Sequence, residues 1–178
     1  MTRQIFLDVE TTGLSPHQGH RIVEIGCVEA HDNKITGQVF HCYCNPERRV
    51  SPAALAVHGL DDAFLQTHPT FGAIATDLVA FVGGAEVIIH NARFDVGFLN
   101  AELHRIQGGS LADHTAAITD SLHLARRLYA GQRNDLDTLC RRFGILTASR
   151  DKHSALHDAQ LLAAVYAQLR TRPANTST

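Results

Sequence analysis

The stretch Ile5-Phe6-Leu7-Asp8-Val9-Glu10-Thr11-Thr12-Gly13 decides how this chain is read. Residues 4–9 carry a β-branched and aromatic apolar run that a Thr-Thr-Gly turn closes, so they predict a strand. Side chains two apart on a strand share a face, which puts Asp8 and Glu10 side by side at its end. Two adjacent carboxylates repel and take up protons unless a positive charge lies between them. A divalent metal ion is the usual such charge. The bland alternative is a pair of solvated acids at a strand end.

Working outward, residues 21–30 and 38–44 read as two further strands, joined through the Asp32-Asn33-Lys34 turn into a hairpin. With residues 4–9 they make an antiparallel meander. The pattern then changes. Residues 70–82 space Phe71, Ile74, Leu78 and Phe81 at helical intervals, with Thr70 or Pro69 at the start. Residues 86–90 form a short apolar strand of the buried parallel kind. Helices are predicted over 93–105, 121–129, 135–143 and 154–170. Strands first, then a strand alternating with helices, give an α/β chain with a mixed sheet and helices on its faces.

The bulk numbers fit that picture. The 178 residues suit one domain over 1–170, followed by a polar tail over 171–178 expected to be disordered. Hydrophobic content of 44% with 19% charged residues is that of an ordinary soluble domain. No apolar stretch is long enough to cross a bilayer, and the first residues lack the apolar core of a signal peptide. The expected setting is therefore the cytoplasm, with no membrane partner. Cys27, Cys42, Cys44 and Cys140 show no zinc-type spacing and read as reduced, mostly buried thiols. A net charge of −2 argues against gripping long duplex DNA by its phosphates. It does not exclude a nuclease, because bound divalent ions would supply a local positive field.

Two downstream segments bear on the acids. Asp95, in His90-Asn91-Ala92-Arg93-Phe94-Asp95, begins the helix after the 86–90 strand, and open α/β sheets build sites at such strand ends. Its alternative role is a first-turn acid favoured by the helix dipole. Asp158 lies near the start of the last helix, just off the stripe of Leu156, Ala159, Leu162, Val165, Tyr166 and Leu169, at a core boundary. His153 precedes that helix on the Asp151-Lys152-His153 loop, where an imidazole can reach a water. His157 is a competitor, but its side chain leaves the helix about 100° from that of Asp158. Hard carboxylate oxygens favour Mg²⁺ or Mn²⁺ over Zn²⁺. Four acids suit two ions about 4 Å apart, the arrangement that clamps a phosphoryl transfer. A histidine base beside them completes a phosphodiester hydrolase.

The motifs DxETTG at Asp8 to Gly13, HNxxFD at His90 to Asp95 and HxxxxD at His153 to Asp158 resemble, in order and spacing, those of the DEDDh 3′–5′ exonuclease superfamily. The stretches TRQIFLD, RIVEIGCVE, VHGL, HNARFDVGFLNAEL, TDSLHLAR and HSALHDAQLLAAVY resemble more closely the proofreading subunits of bacterial replicative DNA polymerases. The resemblance implies an RNase H-like fold, a five-stranded mixed sheet with its first three strands antiparallel and helices flanking it. It also implies that Asp8, Glu10, Asp95 and Asp158 hold two Mg²⁺ or Mn²⁺ ions, with His153 as general base. Asp8, Glu10, Thr11, His58, Phe94 and Asp158 would meet the terminal nucleotide. Phe94 offers an aromatic face and His58 a hydrogen bond; core packing and turn stabilisation are their respective alternatives. Asp120 is expected to play a supporting role. One departure is Ala53, where members of this group often carry an acid.

The implied activity is removal of nucleotides as 5′-monophosphates from DNA 3′ ends, single-stranded or frayed. The implied partner is the polymerase catalytic subunit, engaged through a C-terminal segment not seen before Thr178. An RNA-trimming exoribonuclease of the same superfamily and a non-catalytic nucleic-acid-binding module are the alternatives.

Overall fold

The computed structural model describes residues 2–146 and 152–171. Its strands are β1 (Arg3–Thr11), β2 (Ile22–His31), β3 (Lys34–Tyr43), β4 (Glu86–Ile89) and β5 (Ala117–Asp120). They form one sheet in the order β3-β2-β1-β4-β5, antiparallel across the first three and parallel from β1 through β4 to β5. The helices are α1 (Pro52–His58), α2 (Asp62–Leu65), α3 (Phe71–Val82), α4 (Ala92–Arg105), α5 (Ser121–Leu128), α6 (Leu136–Phe143) and α7 (Ala155–Arg170). None among the described residues is long and apolar enough to cross a membrane.

β1 outruns its predicted length because its two neighbours differ. β4 pairs with it only from Gln4 to Phe6, whereas β2 pairs from Arg3 through to Thr11. The acids thus stand where β1 is still a strand on one side and open on the other. β3 begins earlier than expected because the hairpin turn is only Asp32-Asn33, both at positive φ (49° and 64°), the conformation of a two-residue turn. β5, α1 and α2 were not singled out from the residue pattern.

Alternation along β1 sends Ile5, Leu7 and Val9 into a core built with α3 and α4. Phe6 points to the other face, where Ala159, Leu162, Ala163 and Tyr166 of α7 meet it. Asp8 and Glu10 continue the Phe6 series, so they emerge on the face that carries α7. Their partners across β2 are Gly26 and Glu24. A Cβ on Gly26 would lie 2.2 Å from the Leu156 nitrogen, so only glycine lets the α7 backbone come down onto the sheet there. On its outer side α7 packs against α5 and α6. With partners on two sides the helix is buried well beyond its predicted stripe, and Asp158 lies inside rather than at a boundary. The cysteines are free thiols, three of them buried. Asp151 of the loop and residues 172–178 of the tail expected to be disordered lie outside the described residues.

Candidate active site

Glu10 at the end of β1 meets His153 and Asp158 at the start of α7. Each offers one ligand atom, and these atoms lie within 4.8 Å of one another. Asp8 stands two residues before Glu10 on the same face. Asp158 is 4% exposed, and its Oδ2 lies 2.9 Å from His153 Nδ1. A carboxylate can only accept, so the Nδ1–H donates and Nε2 becomes the ring's basic nitrogen. The His153 side chain is 42% exposed, at a solvent boundary. His157 also lies on α7 but is not a member of the group.

Asp95 comes from the other flank of β1. It is 3% exposed, and its Oδ1 accepts the Val9 N–H at 3.1 Å, a donor left over where β4 stops pairing. Burial pushes its carboxyl up to about 7, against the backbone N–H groups of Asp95 and Val9, which pull it down; the charge of Asp120 adds to the rise. It is not a member of the tight group of Glu10, His153 and Asp158, and neither is Asp8.

The rest of the HNxxFD motif aims Asp95. Asn91 sits in the left-handed region (φ 68°), which Asn tolerates better than most residues, and turns β4 directly into α4. Its N–H donates to Asp120 Oδ1, which also accepts the Leu122 N–H at the start of α5. His90 Nε2–H donates to the Asn134 carbonyl, and Nδ1 lies 2.8 Å from the Ser121 hydroxyl, which donates to the Ile89 carbonyl. Burial lowers the pKa of this ring, against the pull of the Asn134 carbonyl, which raises it. Farther along α4, buried Glu102 takes a two-point bond from Arg21, at 2.6 and 2.8 Å, clamping the helix to the start of β2.

A pocket of about 220 Å³ opens beside Glu10, lined by Thr11, Leu14, Ala54, Val57, His58 and Phe94 among others, with Ala53 in its wall. Phe94 is half-buried against Phe98, so one face packs and the rest borders the pocket. His58 departs from its expected hydrogen-bonding use. Its Nε2–H donates to the Thr11 carbonyl and its Nδ1 accepts the Leu60 N–H, so both nitrogens are engaged within the protein. Burial lowers its pKa, which keeps that neutral form. The Thr11 hydroxyl likewise donates to the Gly13 carbonyl.

A family model described as exonuclease matches residues 5–166. The chain belongs to the exonuclease family. It is 45% identical over 171 residues to the DNA polymerase III subunit epsilon of Escherichia coli (strain K12), a match covering 93% of this chain and 70% of that one. Exonuclease X in complex with 5′ overhanging duplex DNA superposes with a TM-score of 0.71 at 26% identity, over 98% of this chain and 95% of that one. Exonuclease I in its apo form gives a TM-score of 0.82 at 21% identity, a likeness of fold over 97% of this chain and 42% of the longer protein. The family is divalent-metal dependent.

Two features of this exonuclease site escaped the reading of the residues. Glu24, buried opposite Glu10, was legible only as one of two acids, with Glu29, in the apolar run of β2. Leu14 and Val57 form pocket walls from segments with no strong periodicity. A carboxylate inside a strand buried on both faces is the signal that could have flagged Glu24.

Proposed function

We propose that Asp8, Glu10, Asp95 and Asp158 hold two Mg²⁺ or Mn²⁺ ions, and that His153 is the general base of a 3′–5′ exonuclease acting on DNA. The observation that carries this reading is the meeting of Glu10 with His153 and Asp158 within 4.8 Å. The donor set fits a hard divalent cation, since it is dominated by carboxylate oxygens and contains no thiolate. Asp95 fits as well: its buried carboxyl, raised to about 7, would ionise beside a cation. Bound ions would offset the charge that grows on the phosphate in the transition state.

The protein's own groups supply the remainder. The oxygen of a water bonds to the phosphorus of the terminal phosphodiester while its proton passes to His153 Nε2. The bond from phosphorus to the 3′ oxygen of the preceding nucleotide breaks. That oxygen takes a proton from solvent, and a nucleoside 5′-monophosphate leaves. Asp158 keeps the ring in the tautomer whose Nε2 is basic. Phe94 offers an aromatic face to the terminal base or sugar, and Thr11 and His58 shape the wall opposite.

Since Thr11 and His58 turn their polar atoms to the protein itself, base identity matters little and the readiness of the end to unpair matters most. Unpairing costs a few kcal/mol, least at a mismatch, which makes the activity proofreading. The partner we propose is the catalytic subunit of a replicative polymerase, in the cytoplasm. A segment following the exonuclease domain of residues 1–170 would engage it.

Initial rates on labelled strands differing only at the 3′ terminus test this. Single-stranded DNA should be fastest, a mismatched end next and a paired end slowest, with little dependence on the terminal base. Equal rates on paired and mispaired ends would remove the proofreading assignment. A clear preference for RNA would favour the exoribonuclease alternative.

A further inference from the structure

We propose that Glu24 and Ser154 form a positioning pair that fixes the segment carrying His153 and the first turn of α7 against the sheet. The proposal rests on the reading of His153 as the base. Glu24 lies directly across β2 from Glu10, on the same face, and is 1% exposed. A carboxylate placed there costs stability unless it is bonded. Its Oε1 accepts from the Ser154 hydroxyl at 2.8 Å and from His41 Nε2–H at 2.8 Å.

Ser154 makes the case specific. It is the residue between His153 and α7 and stands at the N-cap, where serine ordinarily accepts a backbone N–H of the first turn. Here the side chain makes no such bond. Its hydroxyl donates instead to a strand 130 residues away in sequence. The neighbouring backbone is tied on its other side: the His153 N–H donates to the Val57 carbonyl at 3.0 Å, and Lys152 Nζ donates to the Ala56 carbonyl at 2.7 Å. The base thus hangs between two anchors, α1 behind it and Glu24 beneath it. Glu24 is not a member of the metal-ligand group, and its Oε1 is already doubly engaged, so its action is through Ser154.

The test compares Ser154→Ala, Ser154→Thr, Glu24→Ala and the Glu24→Ala/Ser154→Ala double variant. For each, kcat and KM are measured on a single-stranded oligodeoxynucleotide with Mn²⁺, Mn²⁺ affinity by calorimetry, and the His153 ring signal by NMR in metal-free protein. That signal is assigned by its disappearance in His153→Ala. Displacing the base by a fraction of an ångström should lower kcat in Ser154→Ala roughly 10-fold and leave KM within about twofold. Mn²⁺ affinity should stay within about threefold of the parent, since Glu24 and Ser154 are not ligands. The His153 signal should shift or broaden, and Ser154→Thr, which retains the hydroxyl, should recover both rate and signal. The double variant should be no slower than the slower single one, because both remove the same bond.

Parental kcat and an unmoved His153 signal in Ser154→Ala would overturn the proposal. So would additive losses in the double variant, or a collapse of Mn²⁺ affinity in Glu24→Ala, which would make Glu24 a ligand. Should Glu24→Ala not fold, the two Ser154 variants decide alone. A parental rate in His153→Ala would remove the base assignment, while the His153 signal in Ser154→Ala still decides the anchoring.

Discussion

On one flank of β1, Asp95 arrives on α4 behind a series of interlocks: the left-handed turn at Asn91, the double bond of His90, the shared oxygen of Asp120 and the Arg21–Glu102 clamp. On the other, Asp158 arrives on α7 by close backbone approach over Gly26, and the half-exposed His153 stands just ahead of it. Both acids are buried to nearly the same degree. One is held by backbone N–H groups and a rigid helix start, the other by an imidazole. A charge-holding group profits from rigidity, while a proton-moving group must keep one face to water. On the proposed assignment the two flanks divide those needs.

The largest effect should come from removing a carboxylate. Asp8→Ala should fold yet lose on the order of 10³-fold or more in kcat with Mg²⁺, the loss of several kcal/mol of transition-state stabilisation. Near-parental activity in a gel-based digestion would break the metal assignment on both flanks. Next comes the base. His153→Ala should slow the reaction by roughly 10²–10⁴-fold while metal affinity, read by calorimetry, stays close to parental. His157→Ala should be mild. Finding the two reversed would move the base along α7 and end the contrast between the flanks.

The α4 interlocks predict a stability effect without a chemical one. Arg21→Ala strands the buried Glu102 carboxylate, which should cost about 3–5 kcal/mol in urea unfolding. A loss near zero would mean that the clamp is ornamental.

A further effect is a pH slope in metal-free protein. The folded pKa of Asp95, about 7, lies above the ordinary value of 3.8, so the native state binds this proton more tightly than the unfolded state does. Stability contributed by the protonated group is present at low pH and is lost as pH rises from about 4 to about 7, after which it levels off. Asp95→Asn should remove that slope and come out more stable than the parent at pH 8 in EDTA. The urea midpoint followed across pH 5 to 8 reads this directly. A parent whose stability rises over that window relative to Asp95→Asn would refute the burial argument.

Much of this was written in the residues, and the exceptions have causes. The acids of β1, the Asn91 to Asp95 helix start and the last helix were legible because period-2 and period-3.6 patterns run up to each of them. The early half of β3 was not, because residues 34–39 face solvent on a sheet edge, and Gly37 interrupts the alternation of Ile35 and Val39. β5 has four residues, none buried, and takes its strand form from pairing with β4. The seating of His58 was legible only in part. Its bond to Leu60, two residues on, is the turn stabilisation offered by the sequence, while Thr11 comes from a strand end that only folding brings to it.

The glycine under α7 has a consequence for the protein's birth. Of the proposed ligands, Asp8 and Glu10 lie in the first ten residues, Asp95 lies mid-chain, and Asp158 lies on the last helix, whose backbone seats closely on Gly26 of β2. During synthesis, which proceeds from the N-terminus, the sheet can gather its first strands early. On the proposed assignment the nuclease nonetheless stays chemically silent until its final helix has been made and has settled onto Gly26. A half-made copy therefore carries the acids of a DNA-degrading enzyme without the power to degrade anything.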